Sequence, residues 1–95
     1  MANRRSLKKD IDYLVYEVVS DCFTVMSVKE SGMGEELAEV ISDAVVLRNE
    51  LIARVNHPDG RDNPGITKQY YNKIRKDLIE SIDKLFERVS EIAKK

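Results

Sequence analysis

Tryptophan is absent from this 95-residue chain, which also holds a single cysteine, a single histidine, two prolines and four glycines. One thiol cannot close an internal disulfide, so the fold rests on packing alone. Scarce glycine and proline exclude collagen-like and low-complexity classes. No stretch approaches the roughly twenty consecutive apolar residues that span a bilayer. Charge of one sign is missing too: sixteen basic and seventeen acidic side chains leave a net charge of −1. That balance gives no strong global field of the kind dedicated nucleic-acid binders carry. What is present is 42% apolar and 35% charged residues, a globular composition that at this length makes one domain. The segment Met1 to Lys9 is charged, and Asp10, Asp12 and Glu17 interrupt the apolar run behind it. No signal-peptide pattern is read there, and a reducing, cytoplasmic setting is the expectation.

Apolar residues recur at helical spacing in three places, which predicts an all-α chain with helices over about 6–29, 35–55 and 67–93. In the first, Leu7, Ile11, Leu14, Val15, Val18, Val19, Cys22, Val25 and Met26 step by three and four. Ser6 is placed to cap it, and Ser31-Gly32-Met33-Gly34 to end it. The second opens on Glu35, Glu36 and Glu39, which suit the positive end of a helix dipole. Its apolar face is read as Leu37, Ile41, Ala44, Val45, Ile52 and Val55. The third has the most regular row: Tyr71, Ile74, Leu78, Ile82, Leu85, Val89 and Ile92. Between the last two, residues 56–65 are dense in turn formers. On the third helix, Lys73 with Asp77, Lys76 with Glu80, Glu80 with Lys84 and Glu91 with Lys95 stand four apart, as Glu50 and Arg54 do on the second.

Connected by short turns, three such helices predict an antiparallel bundle. The apolar surface is wider than a lone bundle needs. Leu14 and Val25 widen the first stripe on one side, Val19, Phe23 and Tyr16 on the other, and Ile79, Phe86 and Ala93 form a second row on the third helix. The reading is a homodimer that completes a larger helical bundle, with Tyr13, Tyr16, Phe23, Ile79 and Phe86 as interface candidates. In this reading the chain is a non-enzymatic interaction module with no cofactor and no membrane contact. A protein partner on the same surface is the variant of it.

Other clusters point to other chemistry. Arg4, Arg5, Lys8 and Lys9 form a basic amino-terminal patch, and Lys68, Lys73, Arg75 and Lys76 a second cluster beside Tyr70 and Tyr71. These could neutralise phosphates on nucleic acid or an anionic surface, but the interleaved Asp77 and Glu80 weigh against it. His57, Asp59 and Asp62 are the one grouping of metal-ligand types in a loop, without the spacing of a zinc or EF-hand site. Cys22 sits on the apolar stripe with no base beside it, as a buried thiol would. Arg48 falls on the wheel between Ile41, Ala44 and Ile52, which predicts a buried ion pair with Asp12 or Asp21 of the first helix.

Two resemblances attach to particular residues. Glu36-x-x-Glu39 and Glu80-x-x-Asp83 resemble the paired carboxylate helices of all-α nucleotide pyrophosphohydrolases of the MazG type, which implies Mg²⁺-dependent nucleotide hydrolysis. The helical wheel turns these carboxylates towards solvent, and the gap of about forty residues exceeds that family's spacing, so the reading is not favoured. The opening Met1-Ala-Asn-Arg-Arg-Ser-Leu-Lys-Lys-Asp-Ile, running into Asp12-Tyr13, looks like the start of a family of small all-helical proteins of Bacteroidetes. That resemblance implies a soluble helical bundle and carries no functional residues.

Overall fold

The computed structural model describes residues 4–28, 34–57 and 64–94. Its elements are α1 (Arg4–Val28), α2 (Gly34–Asn56) and α3 (Pro64–Lys94), with no strand among the described residues. α1 begins two residues before Ser6, and α3 begins three before Thr67. Pro64 opens α3 because proline lacks only an N–H that the first helical turn leaves unused, and its φ is already helical.

Cross-helix bonds fix direction and register. Moving up α1 by eight residues, from Arg4 to Asp12, moves the partner down α2 by eight, from Asn56 to Arg48. α1 and α2 are therefore antiparallel. Moving up α2 from Asp43 to Arg54 likewise moves the partner down α3 from Arg88 to Asp77, so α3 runs parallel to α1. Asp10 of α1 meets Arg75 of α3. The bundle is slender, with principal extents of 53 × 17 × 16 Å. At ~1.5 Å per residue α3 accounts for about 46 Å of that length, beyond the reach of either other helix.

The core is apolar throughout, with no buried polar side chain among the described residues. α3 buries the whole of its row from Tyr71 to Ile92, and α1 buries Leu7, Ile11, Val15, Val18 and Cys22. On α2 the buried set is Leu37, Val40, Ala44, Leu51 and Val55. This differs from the expected face: Ile41 and Ile52 are half-buried and Val45 is exposed. A helix wedged between two neighbours centres its buried face between them. The extra contact with α3 turns α2 towards Val40 and Leu51.

That rotation also explains Arg48. Leu47 takes the stripe position between Ala44 and Leu51, and Arg48 lies one residue, about 100°, beyond it at the α1–α2 edge. Its Nε donates to Asp12 Oδ1 at 2.7 Å, but the two side chains remain 42% and 53% exposed. The pair is thus a half-exposed clasp, not the buried ion pair expected, and Asp21 is exposed and does not share it.

Candidate interaction face

Four Arg–Asp pairs bridge the helices: Arg48–Asp12, Arg75–Asp10, Arg54–Asp77 and Arg88–Asp43, at 2.6–3.0 Å. Asp77 and Arg54, read from sequence as partners of Lys73 and Glu50, are instead spent across the α2–α3 seam. This placement changes what the basic clusters can do. Arg4 donates to the Asn56 carbonyl oxygen at 3.1 Å, satisfying the end of α2 where a cation is favoured. Arg75 is held by Asp10, and Tyr71 is in the core, its ring 6.3 Å from that of Tyr70 and tilted 57° to it. Arg5, Lys9, Lys68, Lys73 and Lys76 stay exposed, and Lys8 is half-buried. A cationic side chain from each cluster is committed, and no exposed aromatic pair stands beside Lys68–Lys76 for base stacking.

The acidic resemblance divides in space. Glu36 and Glu39 line an open groove of about 590 Å³ with Lys84, Glu87, Arg88, Glu91 and Ile92. The α2–α3 register sets Glu80 and Asp83 level with Leu51 and Arg48, about 14–22 Å further along the axis. Both face solvent. No group of three metal-ligating side chains occurs among the described residues. The His57 backbone N–H donates to the carbonyl oxygens of Ala53 and Arg54, closing α2. Asp59 and Asp62, its supposed companions, lie outside the described residues.

Cys22 is fully buried. Burial pushes its thiol above the ordinary value, and the Asp21 carboxylate pushes the same way while Arg88 opposes both. A thiol held protonated is a poor nucleophile, so its role is to fill space.

The apolar surface left outside is concentrated on α1. Tyr13, Tyr16, Phe23 and Val28 are exposed there, against Val45 and Val46 on α2 and Ile66 and Ile79 on α3. Phe86, an interface candidate in the sequence, instead leans on the core and is half-buried. The remaining candidates divide between the two sides of α1. Tyr13 borders a cleft with Asp10, Leu14, Arg75, Leu78 and Ile79 at the α1–α3 edge. Tyr16 and Phe23 belong to a shallow trough lined wholly by α1 residues, with Val19, Ser20, Thr24 and Ser27. Sequence reasoning saw the surplus but not this division, which depends on how α2 and α3 flank α1. It placed the exposed Val45 on the inward face of α2 and did not single out Val46, Val28 or Ile66. No helix among the described residues is long and apolar enough to cross a membrane. Compared with protein-family models, curated proteins and solved structures, the chain has no match in any of the three.

Proposed function

We propose that this chain is a helical interaction module that self-associates, with α1 as the element other copies meet. The observation that carries this reading is the gathering of Tyr13, Tyr16, Phe23 and Val28, all exposed, on one helix. Large apolar side chains scattered singly over a surface need no explanation; several on one helix mark a surface that water covers poorly. Between Tyr13 and Val28 only Glu17 and Asp21 carry charge, in a chain that is 35% charged overall. Charged residues are depleted, and aromatic ones enriched, at the centres of protein interfaces.

The half-exposed Arg–Asp clasps fit this role. They sit at the helix edges and hold the three rods in register without depending on a partner, so the protomer presents a preformed face. Sedimentation across a concentration series tests the reading. A reversible rise in mass towards twice the protomer is expected between low and high micromolar protein. A constant 10.9 kDa species through about 300 μM would overturn it.

A further inference from the structure

The near-zero net charge of this chain hides a division along the bundle. Among the described residues, the end formed by 4–12 of α1, 48–57 of α2 and 64–77 of α3 carries ten basic and four acidic side chains. The rest of the described bundle carries ten acidic and three basic ones. One end is therefore strongly positive and the other strongly negative. The two basic clusters of the sequence meet at the positive end because α3 runs parallel to α1, and the Arg75–Asp10 bond at 2.6 Å sets them at one height.

Arginine and lysine play different parts there. Arg75, Arg48 and Arg54 hold Asp10, Asp12 and Asp77 at 2.6–3.0 Å, so three of the four acids of this end are answered within the bundle. Arg5, Lys9, Lys68, Lys73 and Lys76 are exposed and enter no ion pair among the described residues. Asp77, which in the sequence weighs against phosphate binding, is thus held by Arg54. Glu80 stands one turn beyond Lys76, and the next acid of α3, Asp83, is about 10 Å from Lys76 along the axis. That exceeds the ~8 Å over which physiological salt screens exposed charges. The acidic part of the bundle does not cancel the field that a ligand at the basic end meets.

We infer that this end binds the phosphate backbone of a flexible single-stranded nucleic acid without reading its bases. Three features select that ligand. Contacts between free cations and phosphates release condensed counterions, which gives affinity without the buried area an apolar interface needs. The cations also wrap a corner. Arg5 and Lys9 lie roughly 120–160° around α1 from its buried row, and Lys73 and Lys76 roughly 140–160° around α3 from its own, on a rod only 17 × 16 Å in section. A flat anionic membrane reaches one of these sides at a time, whereas a flexible strand follows the curve. Lastly, Tyr71 is in the core and Tyr70 is half-buried, so the pair offers no open ring faces on which bases would stack. This surface is separate from Tyr16 and Phe23, and it acts in a monomer as in a dimer.

Fluorescence anisotropy of a labelled oligo(dT) of about twenty nucleotides, titrated with the full chain, tests the inference. A dissociation constant of order ten micromolar at about 20 mM salt is expected to weaken about a thousandfold by about 200 mM. That is a log–log slope near −3, as four or five phosphate contacts give on a single strand. Oligo(dA) should bind within about threefold of oligo(dT). Arg5→Gln/Lys9→Gln and Lys73→Gln/Lys76→Gln should each reduce the slope by about 1.4 and weaken binding about tenfold. Lys84→Gln removes an exposed cation from the acidic part of the bundle and should change binding less than about twofold. All five positions are exposed, and circular dichroism checks that each variant folds. No binding of either oligonucleotide at about 20 mM salt and about 500 μM protein overturns the inference. Equal weakening by Lys84→Gln and by the double variants overturns it too, since overall charge and not this end would then be responsible. Phosphatidylserine vesicles that capture the chain where oligo(dT) does not would assign the basic end to a membrane surface instead.

Discussion

α3 and α1 belong to one bundle but use their apolar residues differently. α3 buries the whole of its main apolar row, from Tyr71 to Ile92, against the other helices and sets lysines, arginines and acids around it, with Ile66 and Ile79 left exposed. α1 has an inward row from Leu7 to Cys22 and, on its far side, the uncharged row from Tyr16 to Ser27. The comparison teaches that mean hydropathy does not identify an unfinished surface. What distinguishes the helices is whether apolar and charged residues alternate around the circumference. In α3 the charges close the stripe. In the middle of α1 they do not.

The sharpest way to break this comparison is to truncate one residue from each kind of row. Leu78 is 1% exposed in the α3 row, and Leu78→Ala should cost about 2–5 kcal/mol in stability through lost burial and the cavity left behind. Tyr16→Ala should cost less than about 0.5 kcal/mol in the isolated protomer. Urea unfolding at low micromolar protein measures both. Equal costs would mean that Tyr16 is part of the protomer's own core and that the two rows are not different in kind.

How much of this could be read in the sequence differs along the chain in the same way. All seven residues of the α3 row are buried as their spacing predicts, because they form the unbroken centre of the helix's apolar side. α2 was legible as a helix but not in its rotation: Val40 and Leu51 go inside and Val45 outside because the helix serves two neighbours at once. Arg48 was legible as reaching Asp12 or Asp21 of α1, but neither the choice of Asp12 nor the exposure of the pair was, since both follow from that same rotation. The surplus on α1 was visible as excess width. Its division into a Tyr13–Ile79 edge and a Tyr16–Phe23 trough was not, because it depends on cross-helix register. Local spacing carries no register, which is also why Asp77 was assigned to Lys73 when it meets Arg54.

A second measurement sharpens the inward half of α1. Cys22 has its thiol raised first by burial and then by Asp21. The folded state therefore holds this proton more tightly than the unfolded chain does. Its contribution to stability is complete below the ordinary thiol value of 9.0 and is lost as pH rises through the higher, folded value. Cys22→Ala should cost about 1 kcal/mol at neutral pH. It should also fall less steeply than the parent when unfolding is followed from pH 8 to 10. Parallel curves for the two proteins would mean that the Cys22 environment is open to water. Alkylation of the native thiol should be correspondingly slow, limited by opening of the bundle.

The smallest expected effect concerns the edge between the two faces of α1. Asp12 lies on the α2 side of that helix, and its bond to Arg48 is half-exposed, so solvent screens most of the attraction. A double-mutant cycle with Asp12→Asn and Arg48→Gln should give a coupling of about 0.2–1 kcal/mol that shrinks further in high salt. A coupling of several kcal/mol would be the signature of a desolvated pair, as the sequence alone suggested. A small, salt-sensitive value has a different meaning for the bundle. It would assign the Arg–Asp clasps to register rather than to stability, since each aligns one helix against another at little energetic gain. The apolar rows then supply the cohesion, and the clasps decide which face of α1 turns outward.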